Sequence, residues 1–345
     1  MHSGSLRLAW QVVLTSRVRG EMFLCIVDAV TGEVVVRRGL TKYISNASYR
    51  VFTSDSPSPF SPGHPTPLTN QPPLAARVLV VTNAVNTNAS PNGWINDGDN
   101  ETRGNNVDSH TDLNDDNQAD LPRPQGNPNR VFDFPLDFAQ DPTNSSAAAV
   151  VQLFYWCNWM HDKLYELGFT EAAGNFQANN FGRGGQSNDA VFADAQDGGG
   201  VNNANMSTQA DGTAPRMQMY IFDGPTPHRD GDLDAEVILH EYTHGLSNRR
   251  VGGGVGLNAL QSDGMGEGWS DFYALALLSE PADNLGGNYA AGGYLMYEFT
   301  PGFRENYFYG IRQRSCRQGC PPARSTRRAR RNPTTLPPFL QIAAR

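Results

Sequence analysis

The amino-acid sequence predicts an α+β protein of about two domains. Residues 6–36 alternate between apolar and polar side chains, which is the pattern of half-buried strands. Two later segments, 147–167 and 234–244, have the apolar spacing of helices instead. A proline-rich stretch separates the two kinds of pattern, and 345 residues are enough for two domains of about 150 residues each.

Composition excludes several classes of function. The chain has 27 Lys+Arg against 35 Asp+Glu, a formal charge of −8, which disfavours nucleic-acid and anionic-membrane partners. No run of 18 apolar residues occurs, so no transmembrane helix is predicted. The 4 cysteines are too few and too scattered for a disulfide framework. The expected partners therefore include neither nucleic acid nor a membrane.

Changes in composition along the chain divide it into four segments. Three strand patterns fall within 1–45, a small β-rich module. The proline-rich segment 46–77 is predicted to be a linker, and 78–312 is the main domain. The last segment, 313–345, carries arginines and prolines but no acidic residue, so we expect a disordered basic tail.

An acidic stretch over 96–120 offers carboxylates that would suit calcium. It fails the test for an EF-hand, because a loop that opens at Asp112 has Asn117 in place of glycine and Arg123 in place of glutamate. A solvated acidic loop is favoured over a calcium site. On the helix predicted over 147–167, His161 has no partner at ligand spacing and is expected to be structural.

The motif that carries chemistry is His240-Glu241-Tyr-Thr-His244. On a helix, the two histidines four residues apart lie on one face and can bind the same zinc ion. Glu241 lies about 100° further round the helix, so it is placed to act on a water molecule and not to join the ligands. This is the arrangement of a zinc peptidase.

A third ligand is expected because catalytic zinc sites use three protein ligands. Glu267 follows 23 residues after His244, at the start of a second helical pattern. Asp271 lies one turn beyond Glu267 and could accept the second ring N–H of a zinc-binding histidine. A glycine-rich link over 252–256 would let the two helices face each other.

These motifs resemble a known family. His240-Glu-Tyr-Thr-His-Gly-Leu-Ser-Asn-Arg249 and Gly264-Met-Gly-Glu-Gly-Trp-Ser-Asp271 are similar to the zinc-site signatures of the fungalysin family of secreted metalloproteases, relatives of thermolysin. The resemblance covers about 78–312. The segment from Leu8 to Thr41 is similar to the end of that family's inhibitory propeptide.

The resemblance implies a fold and a set of roles. We expect a thermolysin-like α+β domain with a β-rich N-terminal lobe, the HExxH helix, and a C-terminal helical lobe that is largely missing here. His240, His244 and Glu267 would bind Zn²⁺, with Ca²⁺ as a further candidate, and Glu241 would be the catalytic base. Asp271 would orient His240. Asn203 and Ala204 would bind the backbone of a polypeptide substrate.

The resemblance also implies an extracellular protease made as a precursor, with the propeptide as an intramolecular inhibitor; no signal peptide is present in this chain. One feature departs from the family, since no histidine follows His244, where relatives place one that stabilises the transition state. We therefore expect this chain to bind zinc but to hydrolyse peptides poorly. An HExxH aminopeptidase and a catalytically impaired zinc-binding fragment remain alternatives.

Overall fold

The fold was obtained as a computed structural model. It describes residues 7–16, 21–39, 46–58, 74–82, 86–96, 99–281 and 292–296. The chain divides into two units between Ser45 and Asn46. Among the described residues, no helix combines the length and apolar character needed to cross a bilayer.

The N-terminal unit is an antiparallel sheet of three strands in the order β1-β2-β3. Its strands are β1 (Ala9–Ser16), β2 (Glu21–Asp28) and β3 (Val34–Gly39). Between β2 and β3, the Asp28 carboxylate accepts the backbone N–H groups of Val30 and Thr31 at 2.8 and 2.9 Å. The bonds from Thr31 and Val30 lower the pKa of Asp28 to about 2. The three strands predicted for this segment are confirmed.

The second unit mixes short strands with a few helices. Its largest sheet has the order β6-β8-β10-β9; β8 runs parallel to both its neighbours, and β9 is antiparallel at the edge. A second sheet has the order β5-β4-β7, and β11 pairs with β12. The strands are β4 (Ser48–Val51), β5 (Val78–Val81), β6 (Val107–Thr111), β7 (Val131–Phe132), β8 (Val191–Ala195), β9 (Ala204–Ser207), β10 (Arg216–Met219), β11 (Ile221–Phe222) and β12 (Arg229–Asp230).

Four α-helices complete this unit among the described residues. They are α1 (Ser146–Glu166), α2 (Ala235–Arg250), α3 (Leu260–Leu278) and the short α4 (Gly293–Met296). The helix predicted over 147–167 is confirmed as α1. The chain leaves α1 at Gly168, whose φ of 101° lies in the left-handed region that favours glycine.

Helix α1 lies in the middle of the core, and polar side chains fix its position. The Gln152 amide accepts the N–H of Phe52 at 2.9 Å and donates to its carbonyl at 3.1 Å. Trp156 Nε1 donates to the same carbonyl at 3.1 Å. No described strand pairs with the backbone of Phe52, so these side chains satisfy its N–H and carbonyl groups. They thereby attach α1 to the segment that follows β4.

The prediction of a linker over 46–77 is wrong for its first described residues. Ser48–Val51 forms strand β4, which pairs with β5 and β7. Tyr49 is fully buried and stacks on Phe132 at a centroid distance of 5.4 Å. The core therefore begins before the prolines, because the partners of β4 lie later in the chain. The proline-rich residues 59–73 and the basic tail 313–345 lie outside the described residues.

His161 is buried on α1, with its Nδ1 3.0 Å from Asp162 Oδ1. The Asp162 carboxylate also accepts hydrogen bonds from Ser90 Oγ at 2.6 Å and Trp94 Nε1 at 2.9 Å. The imidazole therefore belongs to a buried network that ties α1 to the loop before β6. The prediction that His161 is a hydrogen-bonded structural histidine is confirmed.

A second buried histidine, His110 on β6, lies between two carboxylates. Its Nδ1 is 3.2 Å from Asp108 Oδ1 and its Nε2 is 3.0 Å from Asp194 Oδ1. Burial alone would lower the pKa of His110, but the bonds to Asp108 and Asp194 outweigh it and raise the pKa to about 9. Both ring nitrogens can donate only in the imidazolium form, so a buried cation joins β6 to β8.

Stability is predicted to depend on the charge of His110. Its pKa is higher in the folded chain than in an unfolded one, where about 6.5 is usual, so its contribution is complete below pH 6.5 and disappears as the pH rises through 9. The shift corresponds to roughly 3 kcal/mol. Urea unfolding at pH 6 and pH 9.5 should show a loss that is larger in the parent chain than in His110→Gln by about this amount.

The matched control for this prediction is His228→Gln, which replaces a half-exposed histidine. That variant should keep the parent's dependence of unfolding free energy on pH. If His110→Gln also kept the dependence, the buried imidazolium would not be its source.

Candidate metal centre

Helix α2 carries the HExxH motif, and its first turn is fixed by a buried acid. The Asp234 carboxylate caps the helix by accepting the N–H groups of Glu236 and Val237 at 3.0 and 3.4 Å. Burial raises the pKa of Asp234 to about 7. Capping bonds of this kind typically stabilise a helix by about 1 kcal/mol. One face of α2 packs into the core through Ile238, Leu239, Tyr242 and Leu246.

The last turn of α2 is held by Arg249, whose side chain is 2% exposed. Its Nη1 donates to Asp189 Oδ2 at 2.7 Å and to the carbonyl of Gly174 at 3.1 Å. Its Nε and Nη2 donate to the carbonyls of Gln209 and Thr213 at 2.9 and 3.2 Å. This guanidinium joins the end of α2 to two connections, the one between α1 and β8 and the one between β9 and β10, so the orientation of the motif depends on it.

A glycine in the same helix sets the distance to the neighbouring sheet. A Cβ at Gly245 would lie 2.8 Å from Met206 Cε and 3.0 Å from Phe176 Cε2. A side chain at this position would crowd the ring of Phe176 and the end of the Met206 side chain, which β9 carries. The edge of the sheet therefore borders the motif.

Helix α3 faces α2 after a tight reversal of the chain. Gly252, Gly253 and Gly254 have φ values of 68°, 61° and 98°, a conformation that side-chain-bearing residues rarely adopt. The reversal brings Glu267 on α3 opposite the histidines of α2. The glycine-rich link predicted from the sequence is confirmed as the turn between the two helices.

Three donor groups converge where the helices face each other. His244 Nε2 lies 3.2 Å from Glu267 Oε1, and His240 Nε2 lies 3.6 Å from Glu267 Oε2. One donor atom from each residue falls within 4.8 Å of the others. Ligands bound tetrahedrally at about 2.0–2.1 Å lie about 3.3 Å apart, so the three side chains fit one metal ion of that size.

Two further carboxylates border the three donors. Asp271 Oδ1 lies 3.5 Å from His240 Nδ1, the ring nitrogen that faces away from Glu267. Glu241 is buried, and its Oε1 lies 3.9 Å from His240 Nε2. Asp271 therefore lies beside Nδ1 of His240, and Glu241 lies beside the space between the three donor groups.

The donors open into a cavity of about 400 Å³. Asn203 and Ala204 line it together with His240, His244 and Glu267. Ala204 is the first residue of β9, which lies at the edge of its sheet. The structure therefore brings every sequence-predicted site residue to one cavity or its border.

The acidic stretch 96–120 forms no EF-hand, yet two of its carboxylates meet a third. Donor atoms of Asp112, Asp115 and Asp197 lie within 4.8 Å of one another. Both oxygens of Asp112 accept backbone N–H groups, from Asp116 at 3.0 Å and Asn117 at 2.8 Å. The loop's own hydrogen bonds account for Asp112, and calcium binding remains a prediction.

Sequence reasoning missed the residues that hold α2 at its C-terminal end and one that lines the cavity. Asp189 is 60 residues away from Arg249, and no local pattern connects them. Glu236 lines the cavity one turn before His240. Glu236 lies four residues before His240, which is the same spacing that identified the two histidines. This spacing could have indicated that Glu236 shares their face of the helix.

Loss of the Arg249 guanidinium is predicted to destabilise the whole domain. Arg249→Met would leave the Asp189 carboxylate buried without its charged partner, which typically costs about 3–5 kcal/mol. Chemical unfolding measures this. Arg250→Met is the matched control, because the neighbouring Arg250 is exposed and donates to the carbonyl of Ala173; it should cost less than about 1 kcal/mol. Equal losses in the two variants would contradict the role of Arg249.

The sequence that forms this metal centre is similar to those of known proteins. The family model of fungalysin metallopeptidases (M36) matches residues 65–315. The extracellular metalloproteinase MEP of Leptosphaeria maculans is 39% identical over 302 residues, which is 85% of this chain and 45% of that protein. Extracellular metalloproteinase 5 of Trichophyton tonsurans is 38% identical over 318 residues, 88% of this chain and 49% of that protein.

A third relative, extracellular metalloproteinase 3 of Trichophyton rubrum, is 41% identical over 299 residues, which is 84% of this chain and 44% of the relative. The chain thus spans about half the length of the curated relatives it matches. The family match covers both helices of the metal centre, and the resemblance seen in the sequence motifs is confirmed. The chain belongs to the fungalysin metallopeptidase family.

Proposed function

We propose that this chain carries the zinc site of a secreted metalloendopeptidase, which hydrolyses internal peptide bonds of extracellular polypeptides. The observation that carries the proposal is the convergence of His240, His244 and Glu267 at separations of 3.2 and 3.6 Å. Two imidazoles and one carboxylate are a ligand set of catalytic zinc. Membership of a metallopeptidase family supports a metal at this position.

Zinc in this position would polarise the scissile carbonyl and lower the pKa of water. Glu241 is the base in this proposal: its carboxylate takes a proton from the attacking water and passes it to the leaving amine. Asp271 accepts a hydrogen bond from the Nδ1–H group of His240, which leaves Nε2 free to bind metal and fixes the ring's orientation. Each role uses a side chain that borders the cavity.

The substrate would bind as an added strand. Since β9 lies at the edge of its sheet, an extended peptide could pair with backbone groups at Asn203 and Ala204. This would lay the peptide across the cavity, with its backbone beside the three donors. Recognition through backbone groups is suited to internal bonds of a polypeptide.

Secretion and inhibition by a propeptide complete the proposal. The relatives are named extracellular metalloproteinases, and the residues up to Ser45 form a unit separate from the rest. That unit would be the end of an inhibitory propeptide. Adding a separately produced 1–45 segment to chain lacking it should reduce peptide binding at the cavity.

An aminopeptidase and an inactive zinc-binding fragment are the alternative hypotheses for the function of this chain. An aminopeptidase requires a free amino terminus, whereas an endopeptidase cleaves peptides blocked at both ends. An inactive fragment would bind zinc without any turnover. Hydrolysis of an acetylated and amidated peptide that stops on chelation, and returns with added zinc, supports the endopeptidase alone.

The proposed role of Glu241 predicts a separation of zinc binding from hydrolysis. Glu241→Gln removes the base and leaves the three ligands in place, so zinc content should equal that of the parent chain. Hydrolysis of casein, at whatever rate the parent shows, should fall by about 10²-fold or more. Unchanged hydrolysis in a preparation free of contaminating protease would refute the role of Glu241.

The proposed ligand set predicts a graded loss of zinc affinity. Glu267→Ala removes a charged ligand and should weaken zinc binding by several orders of magnitude, whereas Asp271→Ala should cost about 10–100-fold through His240. Competition with a metal-sensitive dye measures both. Asp263→Ala, another acidic residue of α3, is the control and should change zinc affinity far less. A Glu267→Ala chain with the parent's affinity would place the third ligand elsewhere.

A further inference from the structure

We infer that a second cavity, formed by the edge strand β5 and helix α1, binds an extended segment of the polypeptide substrate as an added strand, with a large apolar side chain inside the cavity. The inference rests on the proposed endopeptidase function. It adds a substrate site that shares no described lining residue with the metal centre. It depends on the edge of β5, on an aromatic wall and on two polar groups of that wall.

Strand β5 presents one edge that no described strand covers. It is the last strand of the sheet β5-β4-β7 and pairs with β4. The N–H of Thr82, directly after β5, donates to the carbonyl of Ala47, directly before β4, at 2.9 Å. Backbone groups alternate between the two sides of a strand, so Val81 and Leu79 direct theirs away from β4. These groups can pair with the main chain of an extended peptide, as in β-strand addition.

A cavity of about 470 Å³ lies where the end of β5 meets helix α1. Val80 and Val81 line it from the strand, and Tyr155 and Trp159, one turn apart, line it from the helix. Trp94 forms a corner, with its ring at 74° to that of Tyr155 and a centroid distance of 5.5 Å. The space beside the edge of β5 is therefore walled by aromatic rings, which suits a large apolar side chain.

Two polar groups of the aromatic wall have no partner within the described part of the chain. Tyr155 is 7% exposed, yet none of the described residues hydrogen-bonds its hydroxyl. Burial raises the pKa of Tyr155, so the hydroxyl keeps its proton and can donate. The indole N–H of the partly buried Trp159 also has no acceptor among those residues. Tyrosine and tryptophan usually bond their polar atoms when buried, so both groups can donate to carbonyls of a bound peptide.

The charged groups that line the cavity are paired with their neighbours. Lys163 Nζ lies 3.1 Å from Glu166 Oε2, and Asn86 Nδ2 donates to Glu166 Oε1 at 3.3 Å. The Asp162 carboxylate accepts the Nε1–H of Trp94 at 2.9 Å. A charged peptide side chain therefore meets charges that are already balanced, whereas phenylalanine or leucine removes apolar surface from water against the rings. Selection at this cavity is by apolar contact.

Equilibrium binding of blocked peptides to the zinc-free chain tests the inference without turnover. One acetylated and amidated octapeptide, rich in threonine, is varied to Phe, Leu, Gln, Lys or Glu at a central position. Fluorescence anisotropy of the labelled peptides measures their affinities. Phe and Leu should bind about tenfold or more tightly than the other three. Equal binding of all five peptides overturns the inference.

Two variants place the bound peptide at this cavity. Val81→Pro removes an N–H that points away from β4, which a strand edge tolerates, and should weaken binding of the Phe peptide about tenfold. Val81→Thr keeps the N–H and is the matched control, with an affinity within about twofold of the parent's. Tyr155→Phe removes the hydroxyl alone and should cost about three- to tenfold; it decides alone if the proline variant fails to fold.

Three outcomes contradict the assignment. Parent affinity in both Val81→Pro and Tyr155→Phe would mean that the peptide binds elsewhere. A dimer of the parent chain in sedimentation that Val81→Pro abolishes would make a second copy the occupant of the edge. In the zinc-loaded chain, the ratio of kcat/KM for casein to that for a blocked tetrapeptide, about 13 Å long, should fall about tenfold in Val81→Pro, and an unchanged ratio overturns the role in substrate binding.

Failure of the proposed function is read separately. A parent chain that hydrolyses neither casein nor the tetrapeptide overturns the endopeptidase function, and with it the assignment of the bound segment to a substrate. Binding to the zinc-free chain does not depend on hydrolysis, so it still decides whether the cavity between β5 and α1 binds an extended peptide.

Discussion

The metal centre depends on the fixation of one helix, α2, at both of its ends by buried charged groups. Asp234 binds the first N–H groups of the helix, and Arg249 binds Asp189 and three loop carbonyls near its last turn. Two donor atoms must lie within a few tenths of an ångström of their proper separation to share a metal. Backbone capping and a buried ion pair supply that accuracy better than apolar packing, because hydrogen bonds are directional.

Fixing α2 also determines what the second helix can contribute. The three consecutive glycines with positive φ reverse the chain within a few residues, so α3 starts close to the histidines and runs beside them. Glu267 and Asp271 are one turn apart on α3, and each faces a different atom of the pair of histidines. A carboxylate near Nε2 and another near Nδ1 define both the position and the tautomer of the ring.

Sequence reasoning predicted that the two histidines of α2 and the two carboxylates of α3 lie close together, because these residues follow local periodicity. His240 and His244 share a face through the helical repeat, and Glu267 and Asp271 repeat the same spacing on the next helix. The groups that hold the end of α2 and begin the core act over long sequence separations. Asp189 lies 60 residues from Arg249, and strand β4 is recognisable only from its partners later in the chain.

The difference between local patterns and distant partners also explains why the linker prediction over 46–77 was wrong at the start of the second unit. The prolines over 59–73 dominate composition over 46–77, whereas β4 has only four residues and owes its burial to Phe132 and α1. The conformational entropy that a short strand loses on folding is offset by contacts with its neighbours. These neighbours are distant in the sequence, so local patterns do not indicate them. The acidic loop is the converse case, since its composition indicated ligands but Asp112 folds its own loop through backbone N–H groups.

The balance of negative charge by positive charge is a requirement of both the buried network in the sheet and the metal centre. In the sheet, the carboxylates Asp108 and Asp194 are balanced by His110 and by Arg123 and Arg216. At the metal centre, the Glu267 carboxylate lies beside the imidazoles of His240 and His244. An imidazole binds a metal in its neutral form, so a divalent ion held there would itself bring the positive charge that His110, Arg123 and Arg216 bring to the sheet.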